Sequence, residues 1–155
     1  MAASAQALRF PEDYLGTWKG VLHIYPADAE VPMSLRLGPA LVKDSVYEYV
    51  LTYHGQTEDV RKYAIHTVDR AKGLYRVDEN NSIVLSERLL GRKLSSVFTV
   101  EGSTLMVTLE LLAGEIVFEV FSWNADAPET SGGKADVPVV YSYVAGAYQR
   151  ALLKK

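Results

Sequence analysis

Three histidines, four glutamates set inside apolar runs and ten tyrosines are the side chains of this chain best suited to chemistry. Imidazole is the commonest neutral metal ligand and a ready proton carrier near neutral pH. His23, His54 and His66 show no ligand spacing to one another, such as i, i+2 along one strand, so no metal site is expected. His23 shares the parity of Lys19 and reads as solvent-facing, and His54 stands beside Gly55 at a strand end. His66 shares parity with Ala64 and Val68 and is expected to point inward. Cysteine is absent, which removes disulfides, thiolate zinc sites, iron–sulfur clusters and cysteine nucleophiles together. No nucleophile-elbow pattern occurs, and Gly132-Gly133 lacks the strand–helix setting of a phosphate loop.

The tyrosines cluster as Tyr47, Tyr49 and Tyr53, and again as Tyr141, Tyr143 and Tyr148. On one face of a sheet, such rings would give a cavity an apolar wall with polar tips, suited to aromatic or polyene ligands. The plainer reading is strand propensity, since tyrosine fits a half-buried pleated surface. The set taken as lining a ligand cavity is Tyr47, Tyr49, Tyr53, Arg61, Tyr63, His66, Phe98, Glu119, Phe121, Tyr141 and Tyr143. Arg61 earns its place by sharing parity with Tyr63 and Ile65, and a buried arginine would suit a carboxylate-bearing ligand. Arg36 is the weaker of the two strand arginines. Of Glu48, Glu87, Glu110 and Glu119, an inward one would be a general acid or base with a raised pKa. Glu110 lies opposite Leu105, Val107, Leu109 and Leu111 and reads as outward, as do most of the four. Glu119 shares parity with Val117 and Phe121, which leaves its direction open.

These side chains must be positioned by strands. Period-two alternation runs through Thr17 to Tyr25, Val31 to Leu37, Val46 to Tyr53 and Val60 to Val68. It continues through Leu74 to Val77, Ile83 to Leu89, Leu94 to Val100, Thr104 to Leu111 and Glu115 to Trp123. Glu101-Gly102 and Ala113-Gly114 read as tight hairpin turns. Residues 124–138, with Pro128, Gly132 and Gly133, are the one long stretch of low hydrophobicity and are expected to form a mobile loop. Val139 to Val144 is expected as the last strand, with Ala147 to Leu153 extending it or forming a short closing helix. No sustained helical stripe appears. About eight to ten short strands joined in order predict an all-β fold, a single antiparallel up-and-down barrel wide enough for one small ligand. One domain spanning residues 1–155 is expected.

Composition narrows the partners. Hydrophobic residues make up 48% and charged residues 23%, as in an ordinary globular domain, and the net charge of −3 supplies no basic surplus for nucleic acid. No run of lysine and arginine exceeds two residues, and no apolar stretch approaches the ~20 needed to span a bilayer. Met1 to Leu8 lacks the basic start and apolar core of a signal peptide, so a cytoplasmic location is expected. No cofactor and no membrane partner is expected, and the protein is read as a monomer or homodimer.

Leu15-Gly16-Thr17-Trp18-Lys19-Gly20 opens the first strand and resembles the Gly-x-Trp start of the calycins, which include lipocalins, fatty-acid-binding proteins and nitrobindin-like barrels. With the strand count and turn order, the resemblance covers nearly the whole chain and points to a bacterial lipocalin-like barrel. It implies that Trp18 packs across the closed end and that Arg150, on the last strand, covers it. Three features depart from the group. Pro26 to Glu30 leads into a strand where fatty-acid-binding proteins have a helical lid. The disulfides of secreted lipocalins are missing, and no histidine near the C-terminus offers the haem ligand of nitrobindin-like proteins.

Three functions follow from such a barrel, and the fold does not choose among them. The first is binding of a small apolar or aromatic molecule. The second is an isomerase, cyclase or other biosynthetic enzyme using the same cavity, with catalytic residues unassigned. The third is a structural or regulatory interaction protein. An apolar cavity favours the first, a cavity with one isolated ionisable group the second, and a filled interior the third.

Overall fold

The computed structural model describes residues 7–155. Ten strands close into an antiparallel barrel: β1 (Gly16–Tyr25), β2 (Ala29–Val42), β3 (Val46–His54), β4 (Glu58–Asp69), β5 (Leu74–Asp78), β6 (Val84–Leu90), β7 (Lys93–Val100), β8 (Ser103–Leu112), β9 (Glu115–Asn124) and β12 (Ala145–Lys154). Consecutive strands are neighbours, and β12 closes the ring between β9 and β1. Closure leaves no open sheet edge in the barrel, which suits strands as apolar as these. Among the described residues the remaining two strands, β10 (Glu129–Gly132) and β11 (Val139–Ser142), pair only with each other. Among the described residues no helix is long and apolar enough to cross a membrane.

The alternation expected from sequence sets the two faces. Trp18 and Leu22 of β1 are buried against Leu35 of β2 and Ala151 of β12, while the alternate residues Lys19 and His23 face out. Leu105, Val107, Leu109 and Leu111 of β8 point inward, and Glu110 points outward to Lys93. Two expectations for the C-terminal region need correction. Val139–Ser142 is not a barrel strand but half of a hairpin arm, paired with a short strand, β10, inside the stretch expected as a loop. The barrel closes instead with Ala145–Lys154, because nine register pairs to β9 and five to β1 satisfy both edges of that segment.

One end of the barrel is plugged. Residues before β1 form a short 3-10 turn, Glu12–Tyr14, and carry Phe10 and Tyr14 into the core. Trp18 donates its indole N–H to the Tyr14 carbonyl at 2.9 Å, and Tyr75 donates its hydroxyl to the Phe10 carbonyl at 3.0 Å. Arg70 binds Glu12, Tyr47 donates to the same carboxylate at 3.1 Å, and Arg92 reaches the Tyr14 hydroxyl at 3.2 Å. The aromatic pairs Phe10–Tyr75 and Tyr14–Trp18, at 5.5 and 5.8 Å between centroids, fill the space between these bonds. Trp18 does pack at this closed end, but its cover is the Lys155 ammonium, 5.5 Å from the ring. Arg150 instead lies on the outer wall between His23 and Glu119, since its neighbours Ala151 and Gln149 take the inward parity.

Candidate functional site

The opposite end differs in packing. Side chains near the plug are sealed: Leu35, Leu111, Ile116 and Leu153 expose nothing. Toward the other mouth, inward side chains such as Ile24, Tyr53, Tyr63, Leu85, Phe98, Val107 and Val120 are only half-buried. Side chains that point inward and still touch solvent mark this end as the less tightly packed one. The turn between β1 and β2, the turn between β5 and β6, and the β10–β11 arm surround this mouth.

The wall is split at this end. β6 and β7 pair at Arg88–Ser95, Leu89–Leu94 and Leu90–Lys93, all near the closed end, and go no further. The next residues along the two strands are Glu87 and Ser96, at the apex of the slot. Glu87 has the inward parity of Leu85 and Leu89 and stands beside the inward Tyr75 of β5. Among the described residues, its Oε2 and the Oγ of Ser96, both shielded from solvent, have no hydrogen-bond partner. Burial without a partner pushes the Glu87 carboxyl up to about 7. Glu87 in turn acts on Tyr49, whose phenol burial holds far above its usual range, with Glu87, Tyr53 and Tyr63 adding to the effect. One isolated acid therefore stands beside the phenols of Tyr49 and Tyr75.

Arg61 stands at the mouth of this region. Its Nε and Nη2 both bond Asp59 Oδ2, at 3.3 and 3.1 Å, and its guanidinium lies 5.1 Å from the Tyr53 ring centre. The arginine is thereby already paired, with about half of its side chain in solvent.

The structure sorts the expected site residues into three groups. Tyr49, Tyr53, Tyr63, Phe98 and Arg61 share the inward parity on β3, β4 and β7 and come together around the open half. Tyr47 also points inward, but at the plug, where its hydroxyl is committed to Glu12. The remaining five lie away from the interior. His66 faces out, opposite Arg76, because Tyr47, Ile65 and Val77 take the inward positions of that register. It lines a hollow of about 420 Å³ on the outer wall with Val68, Arg76, Asp78 and Val84. Glu119 and Phe121 are outward because Phe118 and Val120 fill the inner face of β9. Glu119 accepts the Tyr148 hydroxyl at 2.5 Å, and Phe121 stacks on the Tyr148 ring at 4.6 Å. Tyr141 and Tyr143 belong to the exposed arm region. Among the described residues no group of histidine and acidic side chains is placed to hold a metal ion.

Glu87 and Ser96 complete the region and were not among the expected lining residues. The signal for Glu87 was its parity: it alternates with Ser86 and Arg88 and falls in line with Leu85 and Leu89. Ser96 carried no comparable signal, since a serine in a strand is unremarkable.

The fold and this region define a closed ten-stranded antiparallel barrel compatible with a ligand-binding cavity, the architecture that the calycin resemblance implies. No family model, curated protein or solved structure matches the chain.

Proposed function

We propose that the protein binds one small apolar or aromatic molecule in the open half of the barrel, against Tyr49, Tyr53, Tyr63 and Phe98. The observation that carries this reading is the contrast within a single interior: a sealed end, and an open end whose inward side chains still reach solvent. Apolar burial supplies affinity at about 25 cal/mol per Å², and the few polar groups supply orientation. Titration with a neutral fluorescent apolar dye, N-phenyl-1-naphthylamine, tests it. One-to-one binding is expected, abolished by Val107→Trp, which fills the space from β8. An unaltered dye signal at every protein concentration would refute the proposal.

A second reading has its own support. An isolated acid titrating near 7 beside phenols is suited to moving a proton to or from a bound substrate, which would make the same cavity that of an isomerase or related enzyme. Turnover that vanishes in Glu87→Gln with dye binding retained would establish it.

A further inference from the structure

The chemistry of the slot specifies the head group of the ligand, on the reading that the open half is a binding cavity. Glu87 Oε2 and Ser96 Oγ are shielded, adjacent to the point where β6 and β7 part, and unpartnered. A buried oxygen without a partner is costly, more so when it is charged, so a molecule that completes it is favoured on binding. An ionised carboxylate only accepts hydrogen bonds, and the missing partner is therefore a donor. Among the described residues no cation fills the role. Arg61 is taken by Asp59, and Arg76 and Arg88, on the strands flanking the site, carry the outward parity. Every other inward position on β5, β6 and β7 is aliphatic, aromatic or hydroxyl-bearing.

We propose that the ligand is an organic amine, whose ammonium group bonds Glu87 Oε2 and Ser96 Oγ while its apolar body lies against Tyr49, Tyr53, Tyr63 and Phe98. Three features of the site converge on this class. The ammonium carries three donors, enough for both orphaned oxygens. Its charge offsets that of Glu87 in a region where a lone carboxylate is costly. The faces of aromatic rings attract cations, most strongly away from water. The same carboxylate repels ligands that carry one of their own, so a carboxylic acid of the same shape is excluded.

Protonation of Glu87 gates the binding. The phenols nearest it are Tyr75 from β5 and Tyr49 from β3, with Tyr53, Tyr63 and Arg61 further toward the rim. Burial holds these phenols above their usual range and Arg61 stays charged, so Glu87 is the group among them that titrates between pH 5 and 9. An amine that binds below pH 7 must displace the Glu87 proton.

The test is calorimetric titration with three probes that share one body: 4-phenylbutylamine, 4-phenylbutanol and 4-phenylbutanoate. At pH 8 the amine is expected to bind about tenfold or more tighter than the alcohol, with the acid weakest, from a charge-assisted bond to a shielded carboxylate. At pH 6 its enthalpy is expected to vary with the ionisation enthalpy of the buffer, reporting the released proton. Glu87→Gln should bring the amine down to the affinity of the alcohol, and Ser96→Ala should weaken it several-fold. Glu129→Gln, an exposed carboxyl on the arm, should leave the preference for the amine unchanged. Equal binding of amine and alcohol, or a preference for the acid, would overturn the amine assignment while the cavity reading stands. So would binding of the naphthylamine dye with none of the three probes. Failure of the dye as well would overturn both.

Discussion

Arg70 and Glu12 meet in a two-point ion pair, Nη2 to Oε1 at 2.7 Å and Nη1 to Oε2 at 3.0 Å, with Nη1 also donating to the Phe10 carbonyl at 2.8 Å. The pair fastens the segment before the first strand to the turn between β4 and β5, and so holds the plug in place. Arg70→Ala should lower folding stability by about 1.5–2 kcal/mol, the low end for hydrogen bonds to charged groups because a third of the arginine is in solvent. Burial raises the Glu12 pKa, but the hydrogen bonds from Arg70, its own backbone and Tyr47, with the Arg70 charge, outweigh that effect. The carboxyl therefore sits below its ordinary 4.5. A depressed folded pKa gives stability that is full above the unfolded value and lost as the pH falls through the folded one. Urea midpoints at pH 6 and pH 3 check this: the loss between them should be smaller in Arg70→Ala than in the native chain.

Glu87 should act with the opposite sign. Its folded pKa of about 7 lies above the ordinary 4.5, so the folded state binds more protons between these values. Stability should accordingly fall as the pH rises from 4.5 to 7 and then level off. Glu87→Gln should remove that slope and stabilise the protein at pH 8 by roughly 3 kcal/mol, following the size of the shift. Denaturant unfolding of both forms at pH 5 and pH 8 measures it. A native chain equally stable at both values would show that Glu87 is ionised in the free barrel.

The sequence disclosed the barrel through parity. In β8 the set Leu105, Val107, Leu109 and Leu111 against Glu110 admits one inward face, and the structure has it. Parity misled where both faces are apolar. Phe121 and Glu119 sit on the outside of β9 because Phe118 and Val120 compete for the inside, and Tyr148 supplies an outer partner from another strand. His66 failed for the same reason, flanked by the inward Ile65 and by a long strand whose pairing to β5 shifts past Thr67. The plug was invisible because its bonds run from Glu12 and Phe10 to residues some sixty positions away, a separation that no local pattern encodes. The slot is hidden more deeply still, since strand splaying at Glu87 and Ser96 is a property of two strands together.

Trp18 ties the sequence motif to the plug through its bond to the Tyr14 carbonyl. Trp18→Phe keeps an aromatic ring at a nearly fully buried position but removes the indole N–H and part of the packed volume. The expected cost is about 2 kcal/mol, from one lost buried hydrogen bond and a small void. Thermal unfolding should show it directly. Trp123→Phe, on the outer wall near the mouth, should change stability by less than about 0.5 kcal/mol, the usual effect of a surface substitution.

The β10–β11 arm tests whether the barrel stands without its excursion. Trp123 of β9 pairs with Ala145 of β12, so the two strands already lie side by side where the arm departs. A short Asn-Gly turn can join them in place of residues 125–143. The arm's strands pair only with each other and every residue in them is exposed, so little barrel packing is lost with them. Shortening the loop also reduces the closure entropy that folding must overcome, by well under about 2 kcal/mol on a logarithmic length dependence. The shortened chain should therefore unfold cooperatively with a midpoint equal to or slightly above that of the native chain. It should also stay in solution at higher concentration, because Val139, Val140 and Tyr141, each about half exposed or more, go with the arm. Calorimetry and light scattering on the two chains decide both points. A large drop in the midpoint would mean that the arm braces the mouth between β9 and β12.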